Sequence, residues 1–173
     1  MPAGLPCRRL QRHWKGVEMA EVKAVPDNYP RLVPSLAVSD AAAAIDFYCH
    51  VFGAVERVRM PAPGGRIGHA ELQFGDSLLM LADEFPAVGH LSPESVGGTP
   101  VTLSLYVEDV DAVFQRALDA GAKPVRPVQD QFYGDRSGGF LDPFGHRWYV
   151  ATHIEDVSEE ELQKRSAQAV SQS

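Results

Sequence analysis

"LAVSDAAAAIDFYCHVFGAV", residues 36–55, laid over "LYVEDVDAVFQRALDAGAKPV", residues 105–125, shows one pattern written twice. Each copy opens on apolar strand-forming residues that end at an acid, Asp40 and Asp109. Each continues with apolar residues at helical spacing: Ile45, Tyr48, Cys49 and Phe52, then Val113, Phe114, Ala117 and Leu118. Each closes near a glycine, Gly53 and Gly121, the residue that best serves a helix end needing positive φ. Asp40 and Asp109 stand where a carboxylate accepts the orphan N–H groups of a first helical turn. Recurrence at an offset of about 69 residues means a fold built from two copies of one unit.

Working outward, alternation of apolar and polar residues predicts the rest of each unit. The first reads strand 32–39, helix 41–52, and strands 55–61, 67–74 and 77–83. The second reads strand 101–107, helix 110–120, and strands 124–129, 138–141 and 146–153. Pro61-Ala62-Pro63-Gly64-Gly65 is a hairpin loop, and Gly75-Asp76 and Gly145-His146 are matching strand turns. The expected class is α+β: two βαβββ modules, 31–84 and 101–154, forming a half-barrel of mixed sheets around a shared cavity. Between them, 85–100 is a Gly/Pro-rich linker. Residues 1–28 are expected to be a disordered or mobile arm. Residues 155–173 are expected to form a helix and tail, starting at the capping pair Ser158 and Glu161.

One sheet face in each module is apolar enough to pack against its helix: Leu36, Val38, Ala70, Leu72 and Phe74, then Leu103, Leu105, Val107, Trp148 and Val150. The other face carries Ser35 with Ala37; His69, Glu71 and Gln73; Thr102, Ser104 and Tyr106; and Arg147 with Tyr149. That mixture of donors, acceptors and aromatic area suits a small organic ligand. The segment "QDQFYGDRSGGF", 129–140, adds Tyr133 and Arg136 beside glycine hinges, the composition of a loop that closes over a ligand. It reads equally as a structural turn with Asp135 and Arg136 in local ion pairs.

Composition narrows the function classes. With 173 residues, 45% hydrophobic and 23% charged, the chain is an ordinary globular protein. A net charge of -7 argues against a nucleic-acid surface, although Arg8, Arg9, Arg12 and Lys15 cluster near the start. No apolar run approaches the 18 or so residues of a membrane span, and residues 1–20 lack the apolar core of a secretory leader. With only Cys7 and Cys49, no disulfide framework is expected and a reducing, cytoplasmic setting is inferred. Cys49 reads as helix core. No nucleophile elbow or phosphate loop is present. His90, His146 and His153 read as turn or surface residues.

The paired units, together with "AVSDAAAAIDFY", "YVEDVDAVFQRALDAGA" and "DPFGHRW", resemble the vicinal oxygen chelate superfamily, which includes glyoxalases, extradiol dioxygenases and bleomycin-resistance proteins. The nearest likeness is to the glyoxalase/bleomycin-resistance type and its PhnB-like branch, over residues 31–154. The resemblance implies metal ligands on the first, fourth, fifth and eighth strands. Carried over, those positions fall near Val33 or Ser35, near Leu81, at Thr102 and at Tyr149. None is a strong metal ligand, so no metal is expected. A divalent ion bound instead through His69 and Glu71 is the alternative.

The resulting expectation is a small-molecule binder, without the family's metal and homodimeric, using Ser35, His69, Glu71, Gln73, Thr102, Ser104, Tyr106, Tyr133, Arg136, Arg147 and Tyr149. Neither nucleic acid nor membrane is expected as a partner. The alternative is a divergent metal-dependent lyase, isomerase or dioxygenase in which His69 and Glu71 are catalytic and Glu71 is the general base.

Overall fold

The structure, a computed structural model, describes residues 22–170. The expectations for residues 1–21, including the basic cluster and Cys7, lie outside the described residues. The chain divides at Val96/Gly97 into two compact units, each taken by itself below.

The first unit runs β1 (Ser35–Val38), α1 (Ala41–Phe52), β2 (Val55–Pro61), β3 (Ile67–Phe74) and β4 (Ser77–Asp83). Its sheet has the order β1-β4-β3-β2, with β1 parallel to β4 and the other pairs antiparallel. A one-turn helix, α2 (Pro93–Val96), closes the unit. The second unit repeats the plan: β5 (Thr102–Tyr106), α3 (Val110–Asp119), β6 (Lys123–Asp130), β7 (Asp135–Leu141) and β8 (Arg147–His153), in the order β5-β8-β7-β6. A last helix, α4, spans Glu159–Val170. Each sheet is open and mixed, with one helix on one face.

The repeat extends to individual hydrogen bonds. Asp40 accepts from the Ala43 amide at 2.9 Å, and Asp109 accepts from the Ala112 amide at 3.0 Å. The first amide of each helix is held from the last strand of its own unit. Asp83 accepts from Ala41 N at 2.8 Å, and Thr152 accepts from Val110 N at 2.9 Å. Gly53 caps α1 at φ 69, its N–H donating to Cys49 O at 3.1 Å. That left-handed cap costs a glycine little.

The helices bury the faces that alternation predicted. Beneath α1 lie Ala44, Ile45, Tyr48 and Val51, over a sheet row in which Leu36, Leu81 and Ala70 are register partners. Full burial of Ile45 alone contributes roughly 1.5–3 kcal/mol. In the second unit Phe114 meets Phe140 edge-on at 5.9 Å. Gly138 leaves room for α3 and β6: a Cβ there would lie 2.8 Å from Val128 and 3.0 Å from Phe114. Asp142 accounts for the DPFGHRW stretch. Buried, it accepts from the Phe144 and His146 amides at 3.0 and 2.9 Å and from the Trp148 indole at 2.9 Å. It thereby ties the turn to the core tryptophan.

Four expectations shift. β1 starts at Ser35 rather than 32, because the ladder opens where Met80 N donates to Pro34 O. β7 starts at Asp135 rather than 138; its first residues pair with His153, Thr152 and Ala151 despite the glycines that follow. The 85–100 segment is structured, since Glu84 accepts from Ser92 N at 3.0 Å and Ser95 Oγ at 2.6 Å. Those bonds lower the Glu84 pKa. Cys49, read as a core thiol, is disulfide-bonded.

Candidate functional site

The sheet face away from α1 carries the polar row of the first unit. Ser35, Met80, Glu71 and Val58 are successive register partners across four strands, so Glu71 is flanked laterally by apolar Met80 and Val58. Along β3 its same-face neighbours are His69 and Gln73. Glu71 is 4% exposed. Its Oε1 accepts from the Tyr29 hydroxyl at 2.7 Å and lies 3.2 Å from His69 Nε2. Its Oε2 is buried with no hydrogen-bond partner among the described residues. An orphaned buried acceptor costs about 1–3 kcal/mol, more if charged.

Beside this carboxylate lies a cleft of about 600 Å³, lined by Asp27, Asn28, Tyr29, Pro30, Arg57, Gln73 and Asp76. The Arg57 guanidinium sits 5.3 Å over the Tyr29 ring and donates to Gln73 Oε1 at 3.2 Å. The bulge in β2 between Glu56 and Val58 turns Arg57 toward this face.

In the second unit the face away from α3 carries Thr102, Ser104 and Tyr106 on β5, and Arg147 and Tyr149 on β8. Thr102, Ser104, Tyr106 and Arg147 are exposed. Tyr149 is the hub of a hydroxyl cluster: its OH lies 2.6 Å from the Tyr133 hydroxyl and also contacts Ser137 Oγ. Burial first, then the Tyr149 hydrogen bond, raises the Tyr133 pKa. Tyr106 donates to buried Asp135 at 2.7 Å, and that bond raises its pKa. Both phenols are therefore neutral donors at neutral pH. Asp135 also holds His153 Nδ1 at 2.8 Å, while His153 Nε2 reaches Asp156 at 3.0 Å. The two carboxylates, Asp135 first, raise the His153 pKa.

The structure thus gathers His69, Glu71 and Gln73 on one face of the first sheet, with Ser35 two strands away. It gathers Thr102, Ser104, Tyr106, Tyr133, Arg147 and Tyr149 on one face of the second. Arg136 is separate. As a register partner of Thr152 it belongs to the α3 side, where it donates to Asp111 at 2.7 and 2.8 Å and to Asp130 at 2.8 Å. The expected local ion pairs at Asp135 and Arg136 are thus both present, on opposite faces because adjacent strand residues alternate: Arg136 with Asp111 and Asp130, Asp135 with His153. His153 is no isolated surface residue, and Asp83, Glu84 and Phe85 serve local structure. Tyr29, Arg57 and Ser137 are not among the residues expected from sequence: Arg57 and Ser137 lie inside predicted segments without standing out there, and no local pattern marks Tyr29.

The residues do not fit the family's metal. Leu81 packs on the helix side, so β4 offers Met80 and Ala82 on the open face. Thr102 and Tyr149 are weak donors. His69 and Glu71 engage one another. Among the described residues no three His, Cys, Asp or Glu side chains converge, and no helix is long and apolar enough to cross a membrane.

Comparison with known proteins agrees with the geometry. An uncharacterized protein of Mycobacterium tuberculosis is 48% identical over 137 residues, 78% of this chain and 81% of its own length. The crystal structure of TioX from Micromonospora sp. ML1 is 33% identical with a TM-score of 0.56, covering 72% of this chain and 99% of that one. A PhnB protein from Bacillus cereus, 16% identical, shares the fold at a TM-score of 0.57 over 71% of this chain and 99% of its own. The Glyoxalase/Bleomycin resistance protein/Dioxygenase superfamily profile matches residues 30–150, and the chain belongs to that superfamily.

Proposed function

We propose that this chain binds a small organic molecule through polar groups on its open sheet faces, without the metal its superfamily commonly uses. The observation that carries the reading is the unpartnered Oε2 of buried Glu71. A fold that buries a carboxylate between Met80 and Val58 and leaves one oxygen unmatched is poised for a donor from outside the chain. The hydroxyl cluster around Tyr149 offers neutral donors and aromatic area of the same kind. We also propose that the chain works as a homodimer, which light scattering on the purified protein will check.

A thermal-shift screen of aromatic and cationic compounds tests the binding role. A ligand present at 100 times its dissociation constant stabilises the folded state by roughly 2.7 kcal/mol. Glu71→Gln or Tyr149→Ala should remove the shift of at least one hit. The reading fails if no compound shifts the protein, or if every hit is indifferent to both substitutions.

A catalytic reading has one observation in its favour, the His69–Glu71 contact at 3.2 Å, which would let Glu71 act as a general base. Elemental analysis of protein purified without chelator separates the two. A stoichiometric divalent ion lost in His69→Ala favours the enzyme.

A further inference from the structure

The segment just before β1 supplies a group that the polar face of the first sheet cannot supply for itself. Residues 26–29 form a turn in which Tyr29 N donates to Pro26 O at 3.3 Å, and the segment lies outside regular secondary structure. From it the Tyr29 ring reaches the sheet. Its hydroxyl takes one oxygen of Glu71 while its face lies under Arg57. Arg57 follows the segment as well, with Nη1 3.4 Å from Asn28 O. Tyr29 also lines the cleft, together with Arg57 and Gln73, so the residue that holds Glu71 Oε1 borders open volume.

We infer that Tyr29 is a displaceable stand-in for the ligand, and that the ligand is an aromatic compound bearing a hydroxyl donor. The inference rests on the binding role proposed above and gives that role a chemistry and a gate. Three features define the site: a flat cationic group above the ring, a buried carboxylate oxygen receiving the phenolic O–H, and a second carboxylate oxygen still unmatched. A ligand that copies the ring and its hydroxyl reproduces everything Tyr29 does there. One with a further donor also satisfies Oε2, which Tyr29 leaves alone. The exchange favours the ligand because the segment before β1 lies outside the sheet ladders and outside any helix, and such segments open at lower cost than the sheet itself. Removing the Tyr29 contribution therefore raises ligand affinity, since the ligand no longer competes with a tethered copy of itself.

The probe is 4-methylphenol, the tyrosine side chain as a free molecule, with 4-methylanisole as the partner that lacks the donor. Calorimetric titrations are run on the whole chain and on Tyr29→Phe, Tyr29→Ala and Glu71→Gln. Hydrogen exchange of residues 22–34 is followed in the unsubstituted protein. We expect 4-methylphenol to bind and 4-methylanisole to bind at least tenfold more weakly. Tyr29→Phe and Tyr29→Ala should each tighten 4-methylphenol several-fold, and Glu71→Gln should weaken it about tenfold. Exchange of 22–34 should rise on binding, as the segment is pushed off the sheet. Tyr29→Phe keeps the ring and folds even if Tyr29→Ala does not. Equal affinity for both probes, indifference to Tyr29→Phe, or exchange that falls on binding would overturn the inference. If screen hits respond to Tyr149→Ala alone while 4-methylphenol does not bind, the binding role stands and this inference is lost. If neither the screen nor 4-methylphenol yields binding, both are lost.

Discussion

Glu71 separates a binding residue from a structural one. Its two partners, Tyr29 and His69, are partly exposed and can turn to water when the carboxylate goes. Its own burial between apolar neighbours is costly. Glu71→Met, similar in size, should therefore leave stability within about 1 kcal/mol or raise it, as read by urea unfolding. A loss above about 3 kcal/mol would show that Glu71 holds the fold together. Asp142 is the contrasting case. It satisfies three donors in a buried turn, so Asp142→Ala should cost at least about 3 kcal/mol in the same assay. His153 gives a pH signature. Asp135 and Asp156 raise its pKa above the ordinary 6.5, so its contribution is fully present below 6.5 and fades as pH rises through the higher folded value. The melting-temperature gap between the protein and His153→Gln should be widest at about pH 6 and close in alkaline buffer; a gap that widens with pH contradicts the ion pairs.

At the scale of elements, the helices and their caps were legible because local chemistry decides them. An aspartate before an apolar periodicity and a glycine after it leave little room for another reading, and α1 runs over the predicted residues, 41–52. Alternation likewise put His69, Glu71 and Gln73 on one face. It failed where parity was off by one. Leu81, near which the resemblance implies a ligand position, is a register partner of Leu36 and Ala70 under α1. The local ion pairs expected at Asp135 and Arg136 are present, on opposite faces because neighbours in a strand diverge. Tyr29 was beyond reach altogether, since its contact with Glu71 spans 42 residues and no local pattern announces it. Gly134 marks another element-level constraint. At φ 97, a Cβ there would stand 2.1 Å from Glu155 O, where Gly134 O accepts the amides of Ile154 and Glu155. Gly134→Ala should loosen the turn that carries Tyr133, seen as faster hydrogen exchange over 131–135 and 153–156; unchanged exchange would show that the turn tolerates the side chain.

For the whole molecule, duplication explains both what is shared and what is free to differ. The helix-side faces repeat position for position though not in residue type, down to Asp83 and Thr152 holding the first helical amides, because packing demands the same solution twice. The open faces do not repeat: a carboxylate among apolar residues in one, a hydroxyl cluster in the other. The proposed role gives Thr102 and Tyr149, both weak metal donors, a place in recognition instead. The most direct test is calorimetric titration of the best screening hit into protein stripped of metal by chelator. We expect saturable binding of one molecule per chain, unchanged when zinc, nickel or manganese is restored. Binding that appears only after a divalent ion is returned would contradict the account.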